Sequence, residues 1–199
     1  MTLDERARSA TYANLLAEVP EFKEFGKIPR FNREVVITEK IDGTNAQVFV
    51  QDDGLVRAGS RKRWLTPGSD NFGFCAWVNE HADELRKLGP GRHYGEWWGP
   101  GIQREYGMAE RRFSLFNVAK WGDDAIRPAC CHVVPVLWRG YIGMAGMALG
   151  HALDILRHEG SQASPGFMRP EGIVIYHTAS GHLYKVTLEN DDKPKGADG

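Results

Sequence analysis

The chain has 199 residues, 42% of them hydrophobic and 26% charged, and 25 Lys and Arg nearly balance 26 Asp and Glu for a formal net charge of −1. That length suits one substantial domain or two small ones, and the balance excludes a globally basic polyanion binder. No apolar run approaches the ~20 residues needed to cross a bilayer, and the charged start "MTLDERARSATYANLL" lacks the apolar core of a secretory signal.

A short helix is expected near "YANLLAEV", followed by irregular chain. "REVVITEK" is rich in β-branched residues and reads as a buried strand, and "TNAQVFVQ" alternates like a second one. The "DDG" at 52–54 turns it into "LVRAGSR". From Asn71 to Leu88 the apolar spacing becomes helical, with Phe74, Trp77, Val78, His81 and Leu85 near one face, and Gly89 stops it. "RHYGEWWG" and "RRFSLFNVAKW" read as strands separated by the loop "GPGIQREYG". Pro135 marks an edge or a break within "CHVVPVLWRGY". "MALGHALDILRHEG" is helical and ends at Gly160. Two last strands follow, "EGIVIYH" and "HLYKVTL", with Ser180-Gly181 as the hinge, and "ENDDKPKGADG" has the composition of a disordered tail. With no repeat and no linker to split the chain, the pattern implies one α+β domain over residues 1–188.

Three cysteines, Cys75, Cys130 and Cys131, offer no C-x-x-C pair and no ordinary bridge between the adjacent two, which suits a reduced cytoplasm. The charge is unevenly spread. "RAGSRKR", residues 57–63, holds four basic residues and no acid, and "ERRFSLF" adds Arg111 and Arg112. Such clusters engage phosphates without a basic isoelectric point, although a solvated loop is the commoner fate of one taken alone.

The stretch with chemistry in it is "EKIDGTN". An amine attacks phosphorus only when neutral, which desolvation or nearby positive charge favours. Lys40 ends a buried-looking strand, and Asp42-Gly43 makes a turn at which a ligand can approach the backbone. On "KxDG" alone a solvated strand-end lysine is the favoured reading, since four residues recur by chance.

The wider sequence reverses that preference. "EKIDGTN" resembles the nucleophile motif of the covalent nucleotidyltransferases, the superfamily of ATP-dependent ligases and mRNA capping enzymes, and Asn45 is typical of its RNA ligases. "GSRKRWLTPGSDNFGF" is similar to the family's second element. "YGEWWGPGIQ" resembles a segment of the second RNA ligase of T-even phages, the kind that seals nicks in duplex RNA. "FSLFNV", "EGIV" and "YKVT" follow in family order, so the core motifs run from 34 to 187.

The resemblance implies an α+β nucleotidyltransferase fold, an ATP-grasp-like ligase catalytic domain with antiparallel sheets around a nucleotide pocket and flanking helices. It implies a lysine–AMP on Lys40, transfer of AMP to a 5′-phosphate RNA end, and sealing to a 3′-hydroxyl. Arg61 would fork onto a phosphate, and Lys185 would contact the α-phosphate. Glu96 is expected near the ribose, Phe116 against the adenine, and Glu171 at a hydrated Mg²⁺ or Mn²⁺. Asp42 would serve the ribose or metal and Glu39 the adenine, with Asn45 completing the nucleotide site.

Two departures stand out. The family's last motif usually carries two lysines one residue apart, and here the second position is Thr187; Lys193 and Lys195 do not obviously replace it. Only twelve residues follow Thr187, so a bare adenylyltransferase domain is expected, with no C-terminal OB-fold and an accessory protein as a conceivable substitute. A DNA ligase or capping-type enzyme is the enzymatic alternative. A nucleic-acid end-binding protein that keeps the pocket without turnover is the alternative from another class.

Overall fold

A computed structural model of the chain describes residues 20–189 and residue 191. The helix expected over 12–19 lies outside them, as does the expected disordered tail apart from residues 189 and 191. Residues 20–30 form neither helix nor strand.

The elements in order are β1 (Glu34–Lys40), β2 (Thr44–Val50), β3 (Val56–Ser60), α1 (Phe74–Glu80), α2 (Ala82–Leu85), β4 (Gly91–Trp98), β5 (Arg112–Leu115), α3 (Val118–Trp121), β6 (Cys131–Val133), β7 (Val136–Tyr141), α4 (Ala145–His158), β8 (Gly172–His177) and β9 (Leu183–Thr187). They build two sheets, one ordered β7-β1-β8-β9 and the other β3-β2-β4-β5-β6. All pairings are antiparallel except β5 with β6. The α+β class with antiparallel sheets is what the sequence implied.

β1 and β2 do not form a hairpin. β1 pairs with β7 and β8, whereas β2 pairs with β3 and β4. The three residues Ile41–Gly43 therefore carry the chain from one sheet to the other, and Lys40 stands at the crossing. Gly43 is required there for space, because a Cβ would lie 2.5 Å from the Trp97 carbonyl oxygen and 2.7 Å from Trp98 Cβ.

Each sheet buries one face. Under the five-stranded sheet, Val48, Phe74, Val78, Leu85, Trp97, Phe113 and Leu115 form the larger core. Behind the four-stranded sheet, Ile37 and Ile173 pack on Ala148, Ala152 and Leu156 of α4. Period-two alternation then sends Val36, Thr38 and Lys40 to the other side of β1 and Val174 and Tyr176 to the other side of β8. A third cluster, Ile41, Trp98, Tyr106 and Val134, fills the crossing itself.

Two expectations are corrected. The single helix over Asn71–Leu88 is α1, α2 and a 3-10 turn over Arg86–Leu88, broken at His81 (φ −101°, ψ 16°). The His81 ring stacks on Trp77 and its Nδ1 lies 2.9 Å from the Trp77 carbonyl oxygen. The strand over "RRFSLFNVAKW" stops at Leu115, because the Asn117 side chain accepts the Lys120 N–H and starts α3. The break at Pro135 falls between β6 and β7 as expected. All three cysteines are free. Among the described residues no helix is long and apolar enough to cross a membrane.

Candidate active site

Between the uncovered faces of the two sheets lies a cleft of about 810 Å³, within the range of a ligand site. The four-stranded sheet supplies Thr38, Lys40, Val174, Tyr176 and Lys185 to its walls, and the five-stranded sheet supplies Asn45, Arg92, Tyr94 and Glu96. Phe116 and Asn117, just past β5, line it too.

Strand register decides who meets whom. Lys40 pairs with Gly172, so Glu171 at the head of β8 falls beside the lysine although 131 positions separate them. Lys40 Nζ donates to Glu171 Oε2 at 2.6 Å, with the two side chains 24% and 17% exposed. That pair is partly desolvated, and water still reaches the amine.

On the facing sheet Asn45 pairs with Glu96. Glu96 Oε1 accepts the Gly43 N–H at 3.1 Å, and Oε2 accepts from Asn45 Nδ2 at 3.2 Å. Burial pushes the Glu96 carboxyl up to about 7, opposed chiefly by the charge of Lys40. A carboxyl near its midpoint thus faces the lysine across the crossing.

Glu39 is 1% exposed, and its carboxylate accepts from Ser161 Oγ (2.6 Å), the Gln162 N–H (2.8 Å) and the Ala163 N–H (2.9 Å). Burial raises its carboxyl above the usual range, against those three hydrogen bonds. In this state the side chain pins the 161–163 loop, and its oxygens are engaged there. Asp42 Oδ2 accepts from Arg104 Nε at 3.0 Å, and its own N–H donates to the Tyr106 hydroxyl at 2.8 Å.

Phe116 is 43% exposed on the cleft wall, where an aromatic face is open to a planar ligand. Lys185 lies across from it on β9, on the rung shared with Val174 and Thr38. The structure thus brings Lys40, Glu171, Glu96, Asn45, Phe116 and Lys185 together. Arg61 it does not bring in. The residue is exposed, does not line the cleft, and makes no hydrogen bond or ion pair among the described residues. It leaves β3 one position past the Ser60–Ala46–Gly95 rung, level with Asn45 and Glu96.

Arg104 and Tyr106 are residues that sequence reasoning missed. Arg104 also donates to the Arg169 carbonyl at 3.1 Å, which joins "GPGIQREYG" to the segment ahead of Glu171. Burial raises the Tyr106 phenol above its ordinary range. Gln103, Glu105 and Tyr106 all have positive φ, at 48°, 58° and 54°. Backbone strain of that kind gathers at functional sites. The only signal in the sequence was the glycine- and proline-rich loop itself.

Among the described residues no group of three or more His, Cys, Asp or Glu could cage a metal ion. Glu171 and Asp42 are each paired with a cation, Lys40 and Arg104 respectively.

A family model described as RNA ligase matches residues 33–187, most of the chain. Among solved structures, an RNA ligase of Naegleria gruberi determined with ATP and Mn aligns with a TM-score of 0.55 and 18% identity, over 85% of this chain and 57% of that one. The same ligase with AMP and Mn gives a TM-score of 0.58 and 17% identity, over 89% and 60%. An archaeal ATP-dependent RNA ligase gives 0.57 and 18%, over 83% and 48%. This chain therefore spans about half to three-fifths of those relatives, and the likeness to them is one of fold.

Proposed function

The chain belongs to the RNA ligase family, and from that premise we propose that it is an ATP-dependent RNA ligase working through a covalent lysine–AMP on Lys40. The observation that carries the reading is the Lys40 amine at the sheet crossing, lining a nucleotide-sized cleft and hydrogen-bonded to a carboxylate.

In the first step Lys40 Nζ would form a bond to the α-phosphorus of ATP as the bond to pyrophosphate breaks. Glu171 Oε2, 2.6 Å away, is the acceptor at hand for the amine proton. The adenine would stack on Phe116, the ribose would lie toward Glu96 and Asn45, and Lys185 would face the α-phosphate. A 5′-phosphate oxygen of RNA would then take the AMP by breaking the N–P bond. Finally a 3′-hydroxyl would attack that 5′-phosphate and release AMP. Arg61, at the rim level with Asn45, would meet phosphate at the mouth rather than at the floor.

The structures with ATP and Mn or AMP and Mn support a divalent ion in this chain as well. Bound Mg²⁺ or Mn²⁺ would neutralise charge on the triphosphate. The donors fit an ion held by Glu171 and phosphate oxygens with water completing its shell, as Mg²⁺ prefers, better than a protein cage. Asp42, tied to Arg104, supports the crossing in this state and would reach the ion only on leaving that pair. The nucleotidyltransferase unit would occupy the chain through residue 188.

Incubation with α-labelled ATP and Mg²⁺, followed by denaturing electrophoresis, tests the reading. Label is expected on wild type and absent from a folded Lys40→Ala protein. Labelled Lys40→Ala would sink the mechanism, absence of label on wild type would favour an end-binding protein, and equal labelling from GTP would favour a capping-type enzyme. Full labelling in EDTA would remove the metal.

A further inference from the structure

The cleft wall on the five-stranded sheet continues outward into a surface that the lysine chemistry does not use. Beyond Asn45 and Glu96, the outward rungs are Gly59–Gln47–Tyr94 and Arg57–Phe49–Arg92. Phe116 extends the first rung at one end through its N–H to the Tyr94 carbonyl, and Trp64 extends it at the other through its bridge to Gly59. Trp64 is 44% exposed and Tyr94 54%. The Arg92 guanidinium lies 4.9 Å from the Phe49 ring centre and 5.0 Å from that of Trp64, and it donates to Gln47 Oε1 at 2.9 Å.

The chemistry of this face is uniform. Neither rung holds a carboxylate, and Arg57, Arg61, Lys62 and Arg63 are exposed along its β3 side. The nearest acids at its far end are Asp52 and Asp53, in the β2–β3 turn. Gly59 has no side chain, and a Cβ there would lie 2.7 Å from Gln47 Cγ. Gln47 therefore lies flat and leaves the rings on either side standing clear. From the Trp64 segment to β4 is three interstrand steps, about 14 Å, which is room for more than one base.

We propose that this outer face of β2, β3 and β4 binds single-stranded polynucleotide. Trp64 and Tyr94 stack bases, the weakly hydrated Arg92 plane completes the platform, and Arg57 with Arg61 and Lys62 holds phosphates, while Arg63 is engaged with Ser69 and the Asp70 carbonyl. Sequence-tolerant stacking beside cations is how such strands are gripped, and a duplex, whose bases are already stacked, gains only the phosphate contacts. Arg92 and Tyr94 also line the cleft. A strand on the platform is thus continuous with the site of Lys40, and in that respect the inference rests on the ligase reading.

Fluorescence anisotropy of a short unstructured RNA, with Trp64→Leu and Arg57→Glu, tests it. Neither residue lines the cleft. Arg157→Glu, on α4 behind the other sheet, controls for net charge. Trp64→Leu should weaken binding by about tenfold, Arg57→Glu should weaken it and flatten the salt slope by about 0.7, and Arg157→Glu should change neither. Unchanged affinity in both face variants overturns the proposal, as does equal loss in the control or tighter binding of blunt duplex than of single strand. If Trp64→Leu loses its circular dichroism signature, Arg57→Glu against Arg157→Glu decides. Covalent AMP labelling, read in parallel, separates the two ideas. A chain that binds RNA through this face yet takes no label keeps the platform and loses the ligase.

Discussion

At the scale of single residues, Glu96 has the environment with the clearest consequence for pH. Its carboxyl is raised from 4.5 to about 7 by burial. Between those values the folded protein holds a proton that the unfolded chain has released, so stability falls as pH rises through that window. Glu96→Gln removes the ionisable group while keeping its shape and an acceptor for the Gly43 N–H. Its stability relative to wild type should rise from pH 5 to pH 8, by up to roughly 3 kcal/mol, read from urea unfolding at each pH. Glu39 is raised as well, but it is present in both proteins and cancels in the difference. A gap independent of pH would mean that Glu96 is ionised at neutral pH. Gly43 tests the crossing in another way. Gly43→Ala should cost about 1–3 kcal/mol by overpacking against backbone. Gly68→Ala, where nothing lies within 4 Å of a new Cβ, should cost far less by the same measurement.

At the scale of elements, α1 owes its start to a loop residue. Asp70 accepts the N–H groups of Asn71, Cys75 and Ala76, and Asp70→Ala should lose about 0.5–2 kcal/mol of stability. An unchanged urea midpoint would show that water caps the helix equally well. Elements of this kind mark the limit of what the sequence discloses. The strands from β1 to β4, and β8 and β9, were legible because β-branched runs, alternation and Gly/Pro punctuation are local signals. The break at His81 was not, since it depends on a ring stacked on Trp77 and a side-chain contact with that residue's carbonyl. Nor was the end of β5, where the Asn117 cap outweighed a strand-like composition. Within the candidate site, Lys40, Glu96, Phe116 and Lys185 stood out by motif, and the structure sets them around one cleft. Arg104, Tyr106 and Ser161 did not, because each acts through a partner 58 or more positions away. Such pairings exist only after the sheets have closed.

At the scale of the whole molecule, the ligase reading proposed above would have both sheets meet a triphosphate, and the four-stranded one carries Thr187 where a second lysine was expected. Thr187 shares a rung with Gly172 and Lys40. Two interstrand steps, about 10 Å, separate the outer pair, and no side chain stands between them. A lysine at 187, on the same face of β9 as Lys185, could therefore extend its amine toward the nucleophile's end of the cleft. Among the described residues, the hydroxyl it would displace is within hydrogen-bond reach of the Glu189 carbonyl and Asp191 Oδ1, both at the exposed end of the strand. One charge-assisted contact to phosphate is worth roughly 1.5–3 kcal/mol, about one to two decades in rate if it strengthens in the transition state. Positive charge near Lys40 also favours the neutral, nucleophilic amine. Thr187→Lys should accordingly speed lysine–AMP formation in single turnover at saturating ATP and Mg²⁺. The opposing effect is specific. Glu171 lies one position ahead of Gly172, whose rung holds Lys40 and Thr187, and a new amine that drew it away from Lys40 would remove the nearest proton acceptor. A folded Thr187→Lys protein that reacts more slowly than wild type would show that this competition wins.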